Sequence, residues 1–166
     1  MYSSQDVNIL YTAIGKNIWK IQHLENIVAT FTSMVILQKR RNQSKKTSEE
    51  YCKRVLEKQK KQTLGPMIRT AKEQGTIPPE LAKQFQTLLQ ERNWIVHNCV
   101  SSDMFSLRSQ SKKKELLNRL ENCSDLVFEL MSSMAKLHEQ WFSGLGYDMN
   151  VVQQRAKKLL KDAESG

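Results

Sequence analysis

The chain has 166 residues, 26 Lys and Arg against 17 Asp and Glu, and 39% hydrophobic residues, a length that suits one domain and can enclose a real core. Six Gly and three Pro exclude a collagenous, linker-like or turn-dense sandwich chain. The best apolar stretch, Ile27 to Leu37, is interrupted by Thr and Ser, and Met1 to Asp6 holds no basic region leading into an apolar block, so neither a membrane span nor a secretory signal is expected.

Val7, Leu10, Ile14, Ile21, Leu24, Val28, Phe31 and Val35 recur by threes and fours, with Ile18 beside a slot held by Asn17. That spacing predicts a long amphipathic helix from about Ser4 to about Gln38. A basic loop follows over 39–47. Ser48-Glu49-Glu50 places acids where a second helix begins, with Tyr51, Val55 and Leu56 as its apolar face. Gly65-Pro66 is read as its break, followed by a short helix from Met67 to Gln74 that stops at Gly75. Thr76-Ile77-Pro78-Pro79 opens the next helix, whose stripe is read as Leu81, Phe85, Leu88, Arg92, Val96 and Cys99. Beyond the polar Ser101-Ser102-Asp103, a helix is expected from about Ser111 to about Phe142, with a heptad stripe of Leu116, Leu120, Cys123, Val127, Leu130, Met134, Leu137 and Trp141. Gly144-Leu145-Gly146 stops it, and Asp148 caps an accessory helix over 148–163 carrying Met149, Val152, Ala156 and Leu159. No segment reads as a strand. The expectation is an all-α bundle in a single domain, 1–166, with its core over about 7–142 and two seams regular enough to suggest a dimer.

Charge is concentrated in one block. Between Lys39 and Lys72 there are 12 Lys and Arg and three Asp and Glu, while the rest of the chain is neutral. Such a block suits a polyanion such as RNA, because each phosphate contact releases a condensed counterion. Lys45, Lys46, Lys60 and Lys61 are the candidate RNA-binding residues; the alternative is a solvated helix face. The cysteines, Cys52, Cys99 and Cys123, form no Cys-x-x-Cys pair and read as reduced thiols of a cytoplasmic protein, with no metal site.

One position breaks the apolar stripe. A guanidinium keeps its proton, so Arg92 on a core-facing side must be paired or must line a wet cleft or interface. Asn93 and His97, four residues apart, share a helical face next to it. The fragment Glu91-Arg92-Asn93-Trp94-Ile95-Val96-His97-Asn98 sets a fixed cation, an amide and a titratable imidazole within about two helical turns. The alternative for Arg92 is an ion pair with a buried carboxylate, Glu25 being the candidate. Trp94 is read as a packing residue, with base stacking as the other possibility. His23 and His138 are read as surface or boundary residues.

Arg92-Asn93-Trp94-Ile95-Val96-His97 resembles the R-x-x-x-x-H motif of HEPN domains, in which a polar residue, often Asn, follows the Arg. The resemblance extends to the setting, an all-helical chain of this size with the motif near the C-terminal end of an inner helix. It implies a HEPN-like bundle and a metal-independent endoribonuclease that needs no cofactor, working as a two-fold homodimer whose motifs face each other across one cleft. It further implies a toxin or phage-defence effector, in some cases paired with a nucleotidyltransferase-like antitoxin, or a silent RNA- or protein-binding module. In the active case Arg92 would grip phosphate oxygens, Asn93 would hydrogen-bond phosphate or orient the imidazole, and His97 would transfer protons. The products expected from single-stranded RNA are a 2′,3′-cyclic phosphate and a 5′-OH. A plain helical scaffold with a coincidental motif is the third reading.

Overall fold

The computed structural model describes residues 4–99 and 109–164. Those residues form six α-helices and no strand: α1 (Ser4–Asn42), α2 (Glu49–Lys60), α3 (Leu64–Gln74), α4 (Pro79–His97), α5 (Gln110–Gly144) and α6 (Met149–Glu164). The chain divides into two compact units, Met1–Met131 and Ser132–Gly166, and the boundary falls inside α5.

In the first unit α1 is the common support. At 39 residues it extends for about 58 Å, and α2, α3 and α4 all pack on it, α3 also lying against α4. Most of its expected seam is buried, Leu10, Ile21, Leu24, Val28, Phe31 and Val35, while Val7 and Ile14 near its start are half-buried. The Asn17 slot is not vacant. Asn17 is buried within the seam, its Nδ2 donating to the Ala13 carbonyl at 3.0 Å. The first half of α5 presents the matching stripe of Leu116, Leu120, Cys123, Val127 and Leu130, all buried, and Lys20 of α1 bonds Ser124 Oγ while its ammonium sits 4.1 Å from the Phe128 ring centre. Both seams of this unit are therefore spent inside one chain, and the heptad pattern alone does not call for a second copy.

Several boundaries differ from expectation. The first helix runs four residues beyond Gln38, through Lys39, Arg40 and Arg41, because cations in a last turn complement the partial negative charge of its carbonyls. The expected 39–47 loop shrinks accordingly. Ser48 caps α2, its hydroxyl accepting from Tyr51 N at 3.2 Å. Gly65-Pro66 does not separate two helices; it lies in the first turn of α3, where a missing N–H costs nothing. Gly65 also admits the Leu89 side chain of α4, whose Cδ2 would stand 3.6 Å from an added Cβ. Gly75 ends α3 at φ 75°, and the Thr76 amide closes the turn on the Ala71 carbonyl at 2.8 Å. Behind it Thr76 Oγ1 donates to the same carbonyl and meets Thr32 Oγ1 of α1 at 3.1 Å, which satisfies a buried hydroxyl pair.

On α4 the buried residues are Phe85, Leu88 and Ile95, followed by Cys99. The expected Val96 is 48% exposed. Stepping four from Leu88 to Arg92 and then three leads to Ile95, and adding four again instead leads off the core face to Val96.

In the second unit the end of α5 closes in a turn at Gly146, φ 80°, with the Tyr147 amide donating to the Phe142 carbonyl at 3.1 Å. Asp148 Oδ1 accepts from Asn150 N at 2.8 Å and so caps α6. The expected stripe of α6 falls on Met149, Val152, Ala156 and Leu159, whose side chains lie outside the described residues. Ser101, Ser102 and Asp103 lie outside them as well.

Candidate functional site

Arg92 sits about three-quarters of the way along α4 and is half-buried. It lines a cleft of about 150 Å³ between α1 and α4. Ile18, Ile21, Gln22 and Glu25 face it from α1, a spacing of three and four that keeps all four side chains on one side of the helix; Ile95 and Val96 complete the lining beside Arg92. The walls are aliphatic, and the polar groups are one guanidinium, one carboxyl and one amide.

Glu25 is the notable member. Its Oε1 is buried and has no hydrogen-bond partner. Burial pushes its carboxyl above the ordinary carboxylate range, and the Arg92 charge works against that rise. The alternative raised by the sequence, a carboxylate on the first helix near Arg92, is thus half realised: the two groups share a cleft, yet one carboxylate oxygen stays unpaired.

The other motif residues lie elsewhere. Asn93 and His97 are exposed and do not line the cleft. His97 is the last residue of α4, and the amides of Asn98 and Cys99 both return to the Trp94 carbonyl, at 2.8 and 2.9 Å, fixing the helix end beside it. Within one chain, then, the side chain brought to Arg92 is Glu25 and not His97.

Next to the motif is a cluster that the sequence does not announce. Arg119 of α5 donates from Nε to Glu91 Oε2 at 2.8 Å and from Nη2 to Oε1 at 3.1 Å, and its guanidinium carbon lies 3.7 Å from the Trp94 ring centre. Trp94 is half-buried beneath it, in keeping with a packing role. Glu91 is turned away from the cleft by this pair. Burial, reinforced by the Glu91 charge and opposed by that of Arg119, pushes the Cys123 thiol up to about 11. His23 is exposed and stacks on Trp19 with ring centres 5.9 Å apart. His138 is half-buried, and burial lowers its pKa.

The four lysines assigned to RNA are all exposed. They form two pairs, Lys45 and Lys46 before α2 and Lys60 and Lys61 at the far end of that twelve-residue helix, which is itself about 18 Å long. Arg40 holds the first pair's loop, its Nε donating to the Lys46 carbonyl at 3.3 Å while its guanidinium covers the Tyr51 ring at 4.2 Å. Lys61 reaches Glu57 only at 4.0 Å. The block is anchored to α3 by Lys39, whose ammonium donates to the Gln74 carbonyl at 2.9 Å. Among the described residues no group of three or more His, Cys, Asp or Glu is arranged to hold a metal ion, and no helix is long and apolar enough to cross a membrane.

No protein-family model, curated protein or solved structure matches this chain.

Proposed function

We propose that this chain is a HEPN-like, metal-independent endoribonuclease that cleaves single-stranded RNA by attack of the 2′-OH, leaving a 2′,3′-cyclic phosphate and a 5′-OH. The observation that carries the reading is Arg92, a half-buried guanidinium turned into a cleft instead of being consumed by a full ion pair. A cation in such a place stabilises the extra charge of a phosphorane, and its planar fork matches two phosphate oxygens. His97 transfers a proton and Asn93 hydrogen-bonds the phosphate or the imidazole. The exposed lysine pairs along α2 guide the backbone of the RNA. A two-fold pairing of chains would set two motifs against each other and bring a second imidazole to the reaction. In a cell the enzyme would act in the cytoplasm as a toxin or a defence effector, held in check by a nucleotidyltransferase-like antitoxin where one is encoded beside it.

A second reading is favoured by one observation: His97 and Asn93 are exposed and lie outside the cleft that Arg92 lines. Under it the chain is a silent module that binds RNA or a protein. Cleavage of a single-stranded RNA in excess EDTA separates the two. His97→Ala should slow it by about 10²–10⁴ and Arg92→Ala by about 10²–10³, with both chains folded, and a 2′-deoxy at the scissile nucleotide should stop it. Purified protein that binds RNA and leaves it intact selects the silent module.

A further inference from the structure

Transesterification of RNA moves two protons, one off the 2′-oxygen and one onto the 5′-oxygen. The group that shares a cleft with Arg92 is the carboxyl of Glu25. Its Oε1 is buried without a partner, a condition that costs stability, while the residue itself lines the cleft, where a bound group can meet its carboxyl. Ile18, Ile21, Ile95 and Val96 wall the cleft, so a group bound there is partly shielded from water, and electrostatic contacts are stronger there than in bulk water.

The surrounding charges are accounted for. Arg92, from α4, acts on Glu25 directly. Lys20, earlier on α1, is turned to Ser124 and Phe128 of α5, and Arg119 of α5 is engaged by Glu91 and Trp94. Burial makes the Glu25 carboxyl hold a proton more tightly than an ordinary one, and Arg92 keeps that rise in bounds. A carboxylate tuned in this direction is a stronger base than an exposed one.

We infer that Glu25 is the general base of the Arg92 cleft and takes the 2′-OH proton of the RNA, with the acid supplied by His97 of a paired chain, since a chain's own His97 lies outside that cleft. This rests on the ribonuclease reading, pairing of chains included, and puts a carboxylate in place of an imidazole as the base. Glu25 accepts the proton as the 2′-oxygen bonds to phosphorus. The bond from phosphorus to the 5′-oxygen breaks, and that oxygen takes a proton from the imidazolium of the paired chain's His97. Glu25 ends protonated and His97 neutral; exchange with water returns both to their starting states. Arg92 balances the charge on the phosphorane throughout.

The test is cleavage of a single-stranded RNA by the full chain in excess EDTA across pH 5 to 9, with wild type, Glu25→Gln and Glu25→Asp, each checked for helicity by circular dichroism. Wild type should gain rate as Glu25 ionises. Glu25→Gln should cut about 10²–10⁴ more slowly and lose that rising limb. Glu25→Asp, which keeps the carboxyl but shortens its reach, should be intermediate with the limb kept and shifted. A folded Glu25→Gln chain with wild-type rate and profile overturns the inference and leaves the ribonuclease reading intact. A wild type that cuts no RNA overturns the ribonuclease reading, and the inference falls with it. Should Glu25→Gln fail to fold, Glu25→Asp decides: a reduced rate with a shifted limb supports the base, and an unchanged rate and limb overturn it.

Discussion

Arg119 and Trp94 form a stacked pair, guanidinium over indole at 3.7 Å, that fastens α5 to α4 beside the motif. Glu91 holds the same guanidinium by two nearly parallel hydrogen bonds. The planar fork is what allows one side chain to serve both partners, since a lysine ammonium can neither stack flat nor pair in this bidentate way.

Arg119→Ala should therefore lower stability by about 1 kcal/mol, a figure kept small because the Arg side chain is 43% exposed. Arg119→Lys should recover little of it. Urea unfolding followed by circular dichroism measures both, and an unchanged midpoint for Arg119→Ala would show that the stack contributes nothing.

The Cys123 thiol, raised to about 11 by burial, makes stability fall with alkali. In the unfolded chain this thiol ionises near 9.0, so between about 9 and about 11 the native state binds more protons than the unfolded one. The contribution is whole below about 9 and is lost as pH rises through about 11. Cys123→Ala should flatten that part of a stability-against-pH curve. In native protein at pH 8, iodoacetamide should label half-buried Cys52 well ahead of buried Cys99 and Cys123. Equal labelling of all three would contradict the packing described for the seam.

Neutralising Lys45, Lys46, Lys60 and Lys61 to Gln should weaken binding of a single-stranded RNA at low salt. If each contacts one phosphate, the slope of log affinity against log salt should shrink by roughly 3. An unaltered slope would return the block to a solvated helix face.

Two-fold pairing, which the proposed mechanism uses to appose motifs, must draw on surface outside the buried seams. Val96, 48% exposed, lines the cleft, and Trp19, 68% exposed, is a large apolar side chain of α1 left on the surface. Sedimentation of wild type at micromolar concentration should give a two-chain particle, and Trp19→Glu should give single chains. A wild type that sediments as one chain at high concentration removes the pairing.

The long helices were legible because a repeat of 3.5 residues survives many turns, and an error of one residue averages out over a helix the length of α1. On the shorter α4 the same reasoning drifted: choosing Val96 over Ile95 placed an exposed residue on the core face. Asn17 looked like an interruption because periodicity counts apolar residues, while burial of an amide depends on a hydrogen bond to the preceding turn. At the site, Arg92 stood out as a cation where the pattern demanded a hydrophobe, and Glu25 was nameable from its place on α1. What no local pattern carries is a contact 28 residues apart between α4 and α5, or the loss of a partner at a single carboxylate oxygen. Those depend on where helices cross.

The position of α1 governs how this protein comes apart. Because α2, α3 and α4 each rest on it, and α5 reaches it through Lys20, loss of α1 removes most of the packing between these helices and leaves chiefly α3 on α4 and the Arg119 tie from α5 to α4. Opening is then collective. Amide hydrogens in the stretch from Ile21 to Phe31 should exchange with solvent only at the free energy of complete unfolding of this unit, whereas those of α2 can exchange earlier by a smaller local excursion.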